Sequence, residues 1–156
     1  MGASSVGWRY APNVPSDLAL KAMNAVHRGL LTVSFGKVGW KAAGMPVLEL
    51  TTTGRKTGQQ RSCLLTSPLQ LGDTYVIVAS RGGDDHHPAW FLNLEANPGV
   101  EVAIGGGAKE RRTARVASPD ERAELWPQIA DRFRNYAGYQ AKTSREIPLV
   151  LLETIH

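Results

Sequence analysis

VLELTTTGRKTGQQRSCLLTSPLQLGDTYVIVAS, residues 47–80, sets the class of fold for the chain. It holds three short runs rich in apolar and β-branched residues, and glycine and polar residues separate each run from the next. Such spacing predicts β-strands joined by tight turns. Three similar runs follow, so the predicted strands are 47–53, 62–69, 74–80, 100–104, 110–117 and 148–154. Several short strands in this arrangement favour a barrel or a sandwich.

Helical segments flank and interrupt these strands. Residues 88–96 have Pro88 in the first turn and end at Asn-Pro-Gly, which is typical of a short helix. A second helix begins at Ser118, where Ser-Pro-Asp-Glu forms a capping box, and Pro127 is expected to kink or restart it. Apolar spacing also predicts a helix over residues 16–30, followed by an irregular connection over residues 32–46. The expected fold class is therefore α+β, mainly β, with flanking helices.

The composition is that of one domain without a membrane span. The chain has 156 residues, of which 42% are hydrophobic and 21% charged. The longest nearly uncharged stretch, residues 64–78, is too short to cross a bilayer. The single Cys63 excludes an internal disulfide and a cysteine-based zinc site. We find no signal-peptide pattern, so we expect a cytoplasmic protein in which residues 1–46 cover a domain formed by residues 47–156.

The formal net charge of +4 is unevenly distributed. Residues 1–46 hold five of the 18 Lys and Arg residues and one of the 14 Asp and Glu residues, so the remainder is neutral overall. This basic segment could pack on the core as a cover, or it could form a surface that rests on an anionic membrane at the inner face of the cell or admits a lipid-like substrate. Both interpretations stay open. A second basic run, residues 109–115, contains Glu110 and lacks an aromatic stacking platform, so we expect no nucleic-acid partner.

The loop between the first two predicted strands is a candidate anion site. Residues 54–61, GRKTGQQR, place Arg55 and Lys56 between two glycines, add Arg61, and contain no acid. Glycines let the backbone turn sharply and present amides, arginine supplies a planar fork, and lysine supplies a point charge. The spacing is not that of a Walker loop. A solvated hairpin turn is the alternative interpretation.

A second candidate is the junction of a strand and a helix at residues 79–94. A glycine turn at such a junction exposes backbone amides to which a flat ligand can come close. Trp90 and Asn93 are three residues apart and share a helix face, although Trp90 also suits the core. His86 and His87 are adjacent and lack further ligands, so we predict no metal site. Ser80 lies outside any GxSxG elbow, which argues against a serine nucleophile.

An aromatic series follows in the last predicted helix. Phe133, Tyr136 and Tyr139 recur every three residues and would form a strip on the helix if it continues past Gly138. Such a strip is either ordinary packing or a substrate wall with two hydroxyl groups that can donate hydrogen bonds.

Taken in order, the motifs resemble the deazaflavin (coenzyme F420)-dependent nitroreductase family of actinobacterial oxidoreductases. They are LTTTGRKTGQQR, VIVASRGG, HPAWFLNLEANPGVEV, DERAELWPQI and a closing IPLVLLE. The resemblance covers about two thirds of the chain and implies a split β-barrel of the flavin-reductase, FMN-binding-like kind. It implies an enzyme that passes a hydride from the reduced coenzyme F420 to a small hydrophobic acceptor, such as a quinone or a nitro compound. An acid-free basic loop suits the anionic tail of that coenzyme.

The resemblance also implies roles for individual residues. Contacts to the phosphate and polyglutamate tail would come from Arg55, Lys56, Thr57 and Arg61. The deazaflavin ring would be lined by Ala79, Ser80 and Arg81. Its other side and the ribityl chain would be covered by Pro88, Ala89, Trp90 and Asn93. Tyr136 would border both cofactor and acceptor, and the acceptor itself would meet Thr66, Phe133 and Tyr139. The candidate catalytic residues are Ser80, Tyr136 and Tyr139.

Alternatives on the same scaffold stay open. One is a non-enzymatic protein that binds a fatty acid, another lipid or a cofactor, and another is an FMN-dependent oxidase. Leu64-Leu65-Thr66 and Phe133 depart from the family pattern by removing hydroxyl groups from the expected acceptor pocket, which argues against reduction of bicyclic nitroimidazoles. The resemblance does not decide between a monomer and a homodimer.

Overall fold

A computed structural model describes residues 41–42 and 44–155. Its sheet has eight antiparallel strands: β1 Lys41–Ala42, β2 Met45–Thr53, β3 Gln60–Thr66, β4 Leu69–Leu71, β5 Thr74–Val78, β6 Gly99–Ile104, β7 Glu110–Val116 and β8 Leu149–Thr154. Seven of them follow the order β3-β2-β6-β7-β8-β5-β4, and β1 also pairs with β2. The predicted mainly β fold is confirmed.

The sheet curls because its two edge strands are consecutive in the chain. Only Ser67 and Pro68 separate β3 from β4, so one edge must lie close to the other. Ser67 holds this closure, since its amide donates to the Pro46 carbonyl at 3.0 Å and its buried hydroxyl donates to the Val76 carbonyl at 2.8 Å. The predicted strand over residues 62–69 is therefore wrong in one respect: Ser67-Pro68 divides it into two strands. The curled sheet is the split barrel expected from the sequence.

The central strands bury side chains on both faces. Ile77, Val150 and Leu152 point into the barrel interior and pack with Leu48 and Leu50. The alternate residues of β5 and β8 belong to a second cluster on the opposite face, where the C-terminal helices pack: Val76, Val78, Leu149 and Leu151. Strands that are covered on both faces read as continuous apolar runs, as VIV and LVLL do here.

In the described part of the chain, three helices surround the sheet: α1 Ala89–Ala96, α2 Pro119–Arg132 and α3 Arg134–Ala141. A single 3₁₀ turn, Arg81–Gly83, follows β5. Ser118 and Glu121 form the predicted capping box at the start of α2. The expected restart at Pro127 is wrong, because α2 continues to Arg132 and the helical conformation is interrupted at Phe133 instead. Pro127 is exposed on α2, whereas the buried side of this helix is formed by Leu125 and Ile129.

The structure tests the predictions for residues 1–46 only at residues 41–42 and 44–46, which are the described part of that segment. The helix predicted over residues 16–30 lies outside the described residues. The irregular connection predicted over residues 32–46 is wrong where the structure describes it, since Lys41–Ala42 pairs with Met45 and Pro46 as a hairpin. Within the described part of the chain, no helix is long and apolar enough to cross a membrane.

Candidate functional site

The basic loop joins β2 to β3 and is closed by its own backbone. The Gly54 amide donates to the Gln59 carbonyl at 2.7 Å, and the Gly58 amide donates to the Gly54 carbonyl at 2.9 Å. Gly58 has a φ of 73°, a conformation that glycine adopts without strain. The predicted tail-binding side chains are all exposed: Arg55, Lys56, Thr57 and Arg61. The loop therefore presents three cations to solvent on a backbone whose shape is already fixed.

Asn93 of α1 ties this loop to the rest of the site. Its side chain is only 5% exposed. Its Oδ1 accepts hydrogen bonds from the Arg55 amide and from the Arg55 guanidinium, both at 3.1 Å. Its Nδ2 donates to the buried Thr52 hydroxyl at 3.3 Å. The resemblance placed Asn93 against the cofactor, whereas in this structure its polar atoms hold Arg55.

The segment from the end of β5 into the 3₁₀ turn, residues 79–81, holds the three residues expected at the deazaflavin ring. Ala79 is fully buried with its side chain in the core, so a ligand would meet its backbone. Ser80 is 9% exposed and its carbonyl accepts from the Gly83 amide at 2.9 Å. Arg81 has a φ of 46°, which is uncommon for a residue other than glycine, and its guanidinium pairs with Asp84 at 3.0 Å.

Asp84 is an ionised anchor of this turn. Burial raises the pKa of its carboxyl, but hydrogen bonds from the His86 amide and ring, together with the charge of Arg81, outweigh burial and leave the pKa below its usual value. Asp84 therefore stays charged at neutral pH and holds the Arg81 side chain, which is 10% exposed, against the turn.

Arg145 is a residue that sequence reasoning missed. It lies between α3 and β8, and its guanidinium donates to the carbonyls of Ala79 at 3.2 Å, Ser80 at 2.9 Å and Asp84 at 2.8 Å. Its Nη1 contacts Nδ1 of His87 at 3.0 Å. The only sequence signal was a cation two residues before the IPLVLLE strand motif, which does not reveal a partner more than 50 residues away.

The start of α1 forms the next part of the site. Pro88 is buried at the N-cap of α1, one residue before the first helical residue, and Ala89 is exposed. Trp90 is half-buried against the barrel core and meets Phe91 edge to face at 6.3 Å, so the core interpretation of Trp90 holds for part of its ring. Burial lowers the pKa of His87, and the charge of Arg145 lowers it further against the opposing effect of Glu95. The His87 ring is therefore neutral near pH 7.

The tyrosines of α3 lie against the β2–β3 edge of the sheet. The Tyr136 hydroxyl is hydrogen-bonded to the Thr66 hydroxyl at 3.1 Å and donates to the Met45 sulfur at 3.5 Å. Tyr136 is 5% exposed, and burial raises its pKa, so its hydroxyl stays protonated at neutral pH. Tyr139 is half-buried and contacts Tyr136 edge to face at 6.0 Å. Phe133 packs against the same cluster from the interruption between α2 and α3.

Direct contacts join the predicted residues into two groups. The first is the basic loop with Asn93 on α1. The second joins Thr66 and the α3 tyrosines to the 3₁₀ turn, where a Cβ on Gly83 would lie 2.8 Å from the Tyr139 carbonyl. Arg145 connects this turn to His87, directly before α1.

The chemistry of these groups fits a cofactor with an anionic tail and a flat ring. The exposed cations of the loop can bind phosphate and carboxylates, while the buried turn can support an uncharged ring. Among the described residues, no group of three His, Cys, Asp or Glu side chains is placed to hold a metal ion. The arrangement can bind, orient and exclude water around a reactive cofactor.

Comparisons with known proteins agree on one family. The family model described as F420H(2)-dependent quinone reductase matches residues 26–154. A Mycobacterium tuberculosis protein named as an F420H(2)-dependent quinone reductase is 41% identical over 137 residues, covering 85% of this chain and 88% of that protein. A solved F420-H2-dependent reductase, FDR-A, is 39% identical with a TM-score of 0.61, covering 69% of this chain and 94% of that one. A solved chain described as a domain-swapped dimer is 35% identical with a TM-score of 0.63, covering 83% and 96%.

Proposed function

Because the chain belongs to the F420H(2)-dependent quinone reductase family, we propose that a quinone is the acceptor to which it delivers a hydride. The protein is an F420-dependent reductase, as expected from the motifs. The family match begins at residue 26, about twenty residues before the motifs that revealed the resemblance, so part of the basic N-terminal segment belongs to the family as well.

Hydride delivery requires the coenzyme to bind, and the observation that supports coenzyme binding is the acid-free basic loop with its fixed backbone. Arg55, Lys56 and Arg61 are exposed cations on one loop, and Asn93 holds Arg55 in place before any ligand binds. A cofactor tail of phosphate and carboxylates gains charge-assisted hydrogen bonds there. Because the loop is ordered in advance, less conformational entropy is lost on binding.

The remaining residues orient the reactants. When bound, reduced coenzyme F420 supplies the hydride, so the protein needs no nucleophile of its own. The turn at Ser80 would support the ring, and Trp90 with Ala89 would cover it from the start of α1. Tyr139, which is half-buried, would donate a hydrogen bond from its hydroxyl to the acceptor oxygen. Tyr136 keeps its proton and fixes the position of Tyr139 by its edge contact.

Cofactor binding is tested by fluorescence titration with the deazaflavin coenzyme. Lys56→Ala should weaken binding, because it removes one exposed cation of the loop, whereas Lys109→Ala removes an equally exposed cation in the β6–β7 turn and should not. Reduction of a soluble quinone is then followed by oxidation of the coenzyme. No binding of the coenzyme at high micromolar concentration would refute the proposal. Binding of FMN or of an acyl chain instead would favour the alternatives named above.

We also propose that the protein forms a homodimer. The support is the solved relative described as a domain-swapped dimer, which covers 83% of this chain at 35% identity. Light scattering after size exclusion should give about twice the mass of the 16.9 kDa chain. A mass of one chain over the whole concentration range would contradict this.

Peripheral membrane contact through residues 1–46 is a further proposal that rests on charge alone. Five cations and one anion in that segment favour an anionic surface, where hydrophobic quinones are stored. Charge reversal at Lys21, Arg28, Lys37 and Lys41 should abolish sedimentation with anionic liposomes. Unchanged liposome association would refute this contact without affecting the proposed reaction.

A further inference from the structure

Arg145 concentrates its hydrogen bonds on one short segment. Its Nη2 donates to the carbonyls of Ala79 and Ser80, and its Nε donates to the carbonyl of Asp84. The two ends of the 3₁₀ turn are therefore joined by a single planar guanidinium. A guanidinium holds several donors in a fixed fork, so three acceptors that share it are fixed relative to one another.

Arg145 is itself held firmly. Its carbonyl accepts from Nε2 of Gln140 on α3 at 2.8 Å, and its amide donates to the Thr143 hydroxyl at 3.3 Å. The Thr143 hydroxyl in turn donates to Asp85 at 2.8 Å, which adds a second link to the segment after the turn. The guanidinium thus transmits the position of α3 to the turn.

The turn needs such support because its backbone conformation is unfavourable. Arg81 has a φ of 46°, and a residue with a side chain keeps this conformation only when its surroundings impose it. Two hydrogen bonds inside the turn, from the Gly83 amide to Ser80 and from the Asp84 amide to Arg81, are 2.9 and 3.2 Å long. Arg145 binds the carbonyl of Asp84 and the two carbonyls before Arg81, on both sides of the strained residue.

The position of this turn matters for the α3 tyrosines as well. A Cβ on Gly83 would lie 2.8 Å from the Tyr139 carbonyl, so the turn and α3 are in direct backbone contact. A shift of the turn would therefore move Ser80 and Tyr139 relative to each other. Transfer of a hydride between two bound rings is sensitive to such shifts, and a displacement of about 1 Å can cost about 100-fold in rate.

We propose that Arg145 is a positioning residue for hydride transfer, which fixes the turn at residues 79–84 against α3 by binding three of its carbonyl oxygens. This inference rests on the proposed function, because it assigns the turn to the deazaflavin ring. Arg145 would act on the reactants only indirectly, by holding the turn that borders them. Nδ1 of His87 accepts its fourth hydrogen bond, which orients the guanidinium from the side of α1.

The test compares Arg145→Ala and Arg145→Lys with Arg112→Ala. Arg112 is a matched control, because it is 5% exposed and its guanidinium also donates to backbone carbonyls, those of Asp73 at 2.6 Å and Leu152 at 2.8 Å. These contacts lie among β7, β8 and the β4–β5 turn, away from Gln140 and residues 79–84. Each variant is measured for melting temperature, coenzyme Kd, kcat and acceptor KM, and for hydrogen exchange of the Gly83 and Asp84 amides without ligand.

We expect Arg145→Ala to lower kcat about 10- to 100-fold, to change the acceptor KM less than about 3-fold, and to expose the Gly83 and Asp84 amides to exchange. Arg145→Lys keeps the charge and the stem but lacks the fork, so it should not restore kcat. Arg112→Ala should lower the melting temperature by at least a similar amount and leave kcat and these amides unchanged.

Two results would overturn the inference. One is unchanged exchange at Gly83 and Asp84 in both Arg145 variants. The other is a loss of kcat in Arg145→Ala no larger than that of Arg112→Ala at an equal loss of melting temperature. Failure of the wild-type protein to bind the coenzyme would instead refute the proposed function, and it would be recognised before any variant is compared. Should Arg145→Ala fail to fold, Arg145→Lys provides both readouts.

Discussion

Replacement of Asn93 by alanine separates two roles for this residue. The resemblance places Asn93 against the cofactor, whereas the structure shows its side chain bonded to Arg55 and Thr52. If the structural contacts account for its role, Asn93→Ala should weaken coenzyme binding only by releasing Arg55. A direct contact to the cofactor would instead act independently of Arg55.

The expected magnitude follows from three hydrogen bonds of 3.1, 3.1 and 3.3 Å. A typical protein hydrogen bond contributes about 0.5–1.5 kcal/mol, and the two bonds to exposed Arg55 belong at the lower end because water can replace Asn93 there. Asn93→Ala should therefore lower the free energy of unfolding by about 2 kcal/mol, which corresponds to a melting temperature about 4–8 °C lower for a chain of this size. Ordering the released Arg55 side chain on binding costs about 0.5–1.5 kcal/mol, so the coenzyme Kd should rise about 2- to 10-fold.

The assay is a double-mutant cycle read by deazaflavin fluorescence. Wild type, Asn93→Ala, Arg55→Ala and the double variant are titrated with the coenzyme, and their melting temperatures are recorded. In the Arg55→Ala background, removal of Asn93 should raise Kd clearly less than in the wild type, because the guanidinium that Asn93 positions is already gone and only the bond from the backbone amide of residue 55 remains to be lost. Asn97→Ala, an exposed amide at the end of the same helix, controls for truncation of an asparagine on α1.

An additive result would refute this reasoning. If Asn93→Ala weakened binding by the same factor with and without Arg55, its side chain would have to contact the cofactor itself. That result would require the Arg55 contact to open on binding and would restore the role that the family motif implies.

Three further perturbations test other contacts. Gly83→Ala puts a Cβ 2.8 Å from the Tyr139 carbonyl oxygen of α3, so the melting temperature of this variant should fall. The control is Gly72→Ala, because Gly72 also has a positive φ but its Cβ would meet nothing within 4 Å. Equal losses of melting temperature in the two variants would contradict the close packing at Gly83. Glu121 accepts hydrogen bonds from the Arg115 guanidinium and from the Ser118 backbone amide, and these bonds lower its pKa to about 2. The stability that this carboxylate contributes is present above its ordinary pKa and is lost as the pH falls, so Glu121→Gln should flatten the decline of the unfolding free energy between about pH 5 and pH 2 in urea titrations. Tyr136→Phe removes a hydroxyl bonded to Thr66 at 3.1 Å and should cost about 1 kcal/mol in the same titrations. Since burial raises the pKa of that hydroxyl and keeps it protonated, the pH profile of kcat from about pH 6 to 9 should have the same shape in the wild type and in Tyr136→Phe.

Much of the fold could be predicted because it depends on local patterns. Apolar runs bounded by turn residues located six of the eight strands, and the Ser118 capping box located the start of α2. The errors have physical causes. The strand over residues 62–69 looked continuous because Ser67 and Pro68 lie between apolar residues, and its division depends on bonds from Ser67 to two other strands. The strand at Lys41–Ala42 is only two residues long and has no apolar pattern of its own.

The site could be predicted only as far as its residues carry a motif. Arg55 and Asn93 were both found, but their mutual contact spans 38 positions, and no local rule pairs an exposed loop cation with a helical amide. Arg145 was missed for the same reason, since an arginine before a strand looks like a solvated turn until the carbonyls of residues 79, 80 and 84 are seen around it. Backbone acceptors exist at every position, so the sequence cannot indicate which of them a distant donor binds. Only the tertiary fold reveals residues that act by holding a backbone in place, and in a hydride-transfer enzyme these residues set the geometry of the cofactor on which the rate depends.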